Sequence, residues 1–186
     1  MDVYKNCPTF ENDKFILRLT VERDVADLLK VYSDKKAVPL FNSDNCHGDD
    51  FFYTTLERMQ QAYDFWEEAY RNGWFVRWSI VDKATNEAVG TIEEFHRDAG
   101  DHFTDCGLLR LDLRSDYEVD DKIESILSLI VLPSFDLFGC GKVATKAIPA
   151  ATERIKVLTS LGFTPSDNPL VGSDGTKYYS YYELNN

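Results

Sequence analysis

The sequence predicts an α+β (mixed α/β) fold, with a central, mostly antiparallel sheet flanked by helices. Three observations carry this. Short runs rich in β-branched and aromatic residues alternate with stretches of helical period. Two of the strand-like runs are joined by a turn-rich segment, as in a hairpin. No repeat or low-complexity stretch interrupts the order. At 186 residues, 44% hydrophobic and 13% aromatic, the chain can bury a sizeable core, and residues 1–186 are read as one domain.

Phe15–Leu19 (FILRL) is the first strand. Asp24 to Tyr32 has helical spacing, with Val25, Leu28, Leu29 and Tyr32 on one face. Pro39 to Asp50 reads as a loop, and Phe51 to Arg71 as a long amphipathic helix ended by Asn72-Gly73. Trp74–Val81 and Ala88–Phe95 are the hairpin strands. Gly107–Leu113 alternates Leu109, Leu111 and Leu113 with Arg110 and Asp112, as a strand does. A helix follows from about Asp121 to Leu137, with Ile123, Ile126, Leu127 and Ile130 as its buried stripe, and Pro133 is expected to kink or shorten it. Lys142–Ile148 is a strand. Ala151–Leu161 is a short helix stopped by Gly162. The tail forms a hairpin around Ser173-Asp174-Gly175, ending in the strand Lys177–Leu184.

With 20 Lys+Arg against 32 Asp+Glu, the net charge is −12, which argues against nucleic acid as a partner. No apolar run approaches the ~20 residues of a membrane span, and MDVYKNCPTFENDK lacks the apolar core of a signal peptide, so the expected compartment is the cytoplasm. Cys7, Cys46, Cys106 and Cys140 show no metal-like or redox-like spacing and read as reduced thiols. Cys46-His47 among Asp44, Asp49 and Asp50 can be drawn as a metal site, but one Cys-His pair is a weak signal and a solvated acidic loop is the preferred reading.

Four strings resemble the GNAT superfamily of N-acetyltransferases, most closely the branch that acetylates ribosomal-protein N-termini and small amines. They are Phe15–Thr20 followed by Asp24; Trp78–Lys83 through Asn86–Ile92; Leu111-Asp112-Leu113 before a helix; and Ile155–Phe163 with its leucine-glycine-phenylalanine ending. They occur in the family's order over residues 13 to 165. The resemblance implies a splay between the fourth and fifth strands, Gly107–Leu113 and Lys142–Ile148, into which the pantetheine arm of acetyl-CoA threads as an added strand. It implies pyrophosphate at the N-terminus of the following helix. Leu111, Leu113, Val119, Asp121, Lys122 and Ile123 are then the cofactor-binding positions. Glu93 and Glu94 are the candidate general bases, of which at most one faces the cleft, because neighbouring strand residues point to opposite sides.

The phosphate loop departs from the family pattern. Glu118 to Ile123 stand where it has glycines, and Asp116, Glu118, Asp120 and Asp121 crowd the same stretch. Carboxylates facing a pyrophosphate repel it, and Asp120 or Asp121 can instead cap the helix. Ala151 stands at the family's asparagine, and Leu158 at its frequent tyrosine, where no proton donor remains. Lys142, Lys146, Arg154 and Lys156 are bases that can meet a phosphate or form a solvated face. Glu57, Asp64, Glu67 and Glu68 can favour a cationic amine or be the wet face of their helix.

The expected function is an acetyl-CoA-dependent N-acetyltransferase acting by direct transfer on a small amine or a peptide N-terminus. The alternative is a degenerate, non-catalytic member acting as a ligand-binding or protein-interaction module. A third class is an oligomer-forming module, with the tyrosine-rich last strand at a homodimer interface.

Overall fold

The structure is a computed structural model and describes residues 2–186. Its strands and α-helices in chain order are β1 (Phe10–Glu11), β2 (Phe15–Leu19), α1 (Val25–Tyr32), α2 (Leu56–Arg71), β3 (Val76–Asp82), β4 (Glu87–Arg97), β5 (Cys106–Leu113), α3 (Asp120–Phe138), β6 (Lys142–Lys146), α4 (Thr152–Ser160), β7 (Thr164–Pro165), β8 (Leu170–Val171), β9 (Lys177–Tyr178) and β10 (Tyr181–Asn185). One 8-stranded sheet runs in the order β1-β2-β3-β4-β5-β6-β10-β7, and β8 pairs with β9 apart from it. Every neighbouring pair is antiparallel except β5–β6, which is parallel. This is the mixed α/β architecture with a mostly antiparallel sheet that the sequence predicts.

The two faces of the sheet carry different chemistry because its strands alternate. Trp78, Ile80, Ile92, Leu109, Leu111 and Leu113 pack against the α3 stripe of Ile123, Ile126, Leu127 and Ile130. The opposite face receives α1 and α2 through Leu28, Val31, Tyr32, Met59 and Trp66. There, however, the strands present Arg77, Ser79, Thr91, Glu93, Arg110 and Asp112, all buried. Buried charges must find partners, and on this face they bind one another.

Several boundaries differ from the sequence reading. Helix α2 begins at Leu56, where the Thr55 hydroxyl accepts from the Arg58 amide. Residues 51–55 instead run as loop that buries Phe51 and Tyr53. Pro133 does not shorten α3, which continues to Phe138 and ends at Gly139 in the left-handed conformation (φ 58°), where glycine is favoured. The expected last strand is two, β9 and β10, separated at Tyr179-Ser180, with Ser180 at φ 68°. Strand β10 is flanked by β6 and β7, so its edges are occupied within the chain.

Candidate functional site

Strands β5 and β6 do splay. Their parallel register runs from Cys106↔Lys142 to Leu109↔Thr145 and stops, leaving Arg110–Leu113 without a β6 partner. The opening is filled by Arg154, on the first turn of α4. Its side chain is buried. One nitrogen, Nη1, donates to the carbonyls of Leu111 (2.8 Å) and Leu40 (3.0 Å). Nε and Nη2 bind the Glu118 carboxylate. The space left among Leu111, Leu127, Thr145 and Leu158 is about 10 Å³, no more than the room one water needs.

The helix-entry loop is closed on itself as well. Lys156 pairs with Asp120, whose Oδ1 accepts from the Asp121 amide at 2.9 Å. Lys122 lies over the Tyr117 ring, 3.8 Å from its centroid, and donates to the Asp116 carbonyl. Asp121 faces Lys14 at 3.5 Å, Val119 is partly exposed, and Ile123 is in the core. The side chains of Leu111 and Leu113 point into the core beneath α3, while the Leu111 carbonyl meets Arg154 at the splay. The remaining bases are engaged too. Lys146 binds both oxygens of Asp44, and Lys142 binds Glu183.

Glu93 and Glu94 diverge to opposite faces. Glu93 sits in a cross-strand row between Arg77 and Arg110 and binds both guanidiniums. Burial disfavours its charge, but the two arginines outweigh that and hold its carboxyl below the usual range. In the next row, Tyr32 donates to Asp112 at 2.7 Å, and Arg77 donates to Tyr32 at 2.8 Å and Thr91 at 2.9 Å. Glu94 is fully buried on the α3 face with no cation beside it, and desolvation raises its pKa to about 8. Its Oε2 lies 2.8 Å from the Ser134 hydroxyl, which is equally close to the Ile130 carbonyl. One hydroxyl proton cannot serve both acceptors. A protonated Glu94 donates to Ser134, which then donates to Ile130. A Cβ on Gly107 would lie 2.9 Å from Glu94 Oε1 and 3.1 Å from Cys140 Sγ, so a larger residue there would push the Glu94 carboxyl aside.

A mainly apolar recess lies on the α1/α2 face, over the Arg77–Glu93–Arg110 row. It is a cavity of about 340 Å³. Phe75 and Phe95 continue the floor, Trp66 and Tyr53 form walls, and Phe65 and Trp74 stand half-exposed at the lip. Arg77 lies 4.1 Å from the Trp66 ring centroid, and Arg58 lies 4.2 Å from that of Tyr53 while pairing with Asp49. Glu57, Asp64, Glu67 and Glu68 on α2 are exposed and do not line it. Among the described residues no group of three or more His, Cys, Asp and Glu side chains is arranged to hold a metal. Near Cys46-His47, Asp44 is held by Lys146 and Asp49 by Arg58.

The sequence reading missed three features. Arg154 stood out only as a base, because its partner Glu118 is 36 residues away. The arginines in WFVRWSIV and GLLRLDL were the available signal for a buried charge row. The cavity's aromatics come from separate elements with no shared spacing.

The sheet order, the splayed parallel pair and the helix that follows it define the acetyltransferase fold of the GNAT superfamily. The ribosomal-protein-S5-alanine acetyltransferase of Vibrio fischeri superposes with a TM-score of 0.71 at 17% identity, covering 96% of this chain and 97% of that one. Mycobacterium smegmatis RimJ, solved in complex with CoA-disulfide, gives 0.69 at 15% identity over 92% and 81% of the two chains. A GNAT-family acetyltransferase from Bacillus anthracis gives 0.69 at 12% over 96% and 98%. No family model and no curated protein matches the sequence. At these identities the likeness is one of fold. Among the described residues no helix is long and apolar enough to cross a membrane.

Proposed function

We propose that this chain is a ligand-binding protein on the GNAT scaffold, acting as one unit in the cytoplasm. Its coenzyme groove is closed by its own side chains, and its ligand site is the aromatic cavity on the α1/α2 face. The observation that carries this reading is Arg154, whose guanidinium bridges Leu111, Leu40 and Glu118 across the splay. Coenzyme A, which the fold implies, does not fit the residues present. A thioester arm would need the Leu111 carbonyl that Arg154 occupies. Freeing that carbonyl breaks a buried hydrogen bond and displaces a guanidinium that the Glu118 carboxylate holds in place. A pyrophosphate would meet Asp116, Glu118, Asp120 and Asp121 with no glycine to let it approach the backbone.

The proton chemistry points the same way. A general base must be open to an incoming amine. Glu93 is engaged by two guanidiniums, and Glu94 lies under α3.

The second reading is an acetyltransferase that moves the acetyl group of acetyl-CoA to a peptide N-terminus or small amine. The named activity of the Vibrio neighbour and the coenzyme bound to the Mycobacterium one favour it, as does the edge of Arg110–Leu113 left free on the β6 side. In it Glu93 or Glu94 is the base, and Leu111, Leu113, Val119, Asp121, Lys122 and Ile123 line the cofactor. The two readings separate in a free-thiol assay with acetyl-CoA, a polyamine and a peptide bearing a free N-terminus. The binding-protein reading expects no protein-dependent thiol release. Release that rises with protein concentration and is lost in Glu93→Gln or Glu94→Gln restores the transferase.

A further inference from the structure

We propose that the aromatic cavity binds a planar aromatic ligand carrying one carboxylate, with the ring among Phe65, Trp74 and Phe75 and the carboxylate toward Arg77 and Arg110. This rests on the reading of the cavity as the ligand site and names the ligand's chemical class.

The charge on the lining decides the sign of the ligand. Three arginines line the cavity, Arg58, Arg77 and Arg110, against the acidic residues Asp49 and Glu93. Asp112 sits one row deeper, beneath Arg77, and does not line it. The lining thus carries one excess positive charge inside a chain of net charge −12. A low-dielectric recess focuses such a charge.

Arg77 and Arg110 are buried, and the Nε–H of each lies beneath the cavity surface without a partner, which leaves its positive potential uncompensated there. An arginine fork suits a planar carboxylate. Inside the recess a cationic ligand gains less, because the rings there are already faced by cations. Arg77 stands over Trp66 at 4.1 Å, Arg58 over Tyr53 at 4.2 Å, and Arg110 over Phe95 at 5.6 Å. The lip has no such cation and presents Phe65 and Trp74, 50% and 53% exposed, with ring centroids 6.3 Å apart. Exposed aromatics at the mouth of a recess with a polar floor are what an amphipathic, flat ligand matches.

The test is calorimetric titration of the intact protein with indole-3-acetate and, separately, tryptamine, which share a ring system and differ in charge. The expected result is saturable binding of the acid at least about tenfold tighter than that of the amine. Raised salt should weaken it, and Trp74→Ala, at the exposed lip, should weaken it several-fold with the unfolding midpoint retained. Equal or tighter binding of tryptamine, no binding of either compound at millimolar concentration, or an acid affinity untouched by Trp74→Ala overturns the inference. An acetyl-CoA titration of the same sample separates this failure from that of the closed groove. Coenzyme binding contradicts the groove and leaves the cavity result standing; absence of aromatic-acid binding contradicts the cavity alone.

Discussion

The Arg154 guanidinium donates to the Leu111 carbonyl at 2.8 Å while holding the Glu118 carboxylate. It thereby ties α4, β5 and the loop before α3 where the parallel pair has come apart. Removing it strands a largely buried carboxylate, since the Glu118 side chain is 9% exposed. Arg154→Ala is expected to lower unfolding stability by about 3–5 kcal/mol. Arg154→Ala/Glu118→Ala should recover part of that, giving a measurable coupling by denaturant titration. Lys156→Ala, at an exposed pair, should change stability by less than about 1 kcal/mol.

Glu94 sets a slope in the stability–pH curve. Its folded pKa of about 8 stands above its ordinary value of 4.5. The folded state therefore keeps a proton that the unfolded state loses. That stabilisation is complete below 4.5 and disappears as pH rises toward 8. Denaturation midpoints should fall over that interval in the wild type, and Glu94→Gln should flatten the fall by a few kcal/mol.

Glu93 acts in the opposite sense. Its folded pKa lies below 4.5, so its contribution is present above that pH and is lost as pH falls through the folded value. Glu93→Gln leaves Arg77 and Arg110 without their shared carboxylate. It should cost about 3–5 kcal/mol at neutral pH and make the acid limb of the curve shallower.

Tyr32 joins Arg77, Thr91 and Asp112 through one hydroxyl. Tyr32→Phe keeps the ring in its aromatic cluster and leaves those buried groups short of a partner. Its expected cost is about 1–3 kcal/mol, read from urea unfolding.

Most of the fold was legible in the sequence because period and turn chemistry act locally. Leu109, Leu111 and Leu113 alternate and lie on the core face, and the stripe through Ile123 and Ile130 marks the buried side of α3. The extent of α3 was legible too, since Asp121 to Leu137 nearly matches Asp120–Phe138, and Pro133 does not shorten it. The site was less legible. The acidic loop was visible, yet nothing local pairs Glu118 with Arg154 or Asp120 with Lys156, each 36 residues apart. Alternation separated Glu93 from Glu94 but could not say that one meets two arginines and the other a serine.

The central claim is that the splay is shut by Arg154, and equilibrium titration of the folded protein with acetyl-CoA tests it most directly. The account predicts no saturable binding up to millimolar ligand. A dissociation constant in the micromolar range would contradict it, since that affinity requires Arg154 to have left the Leu111 carbonyl.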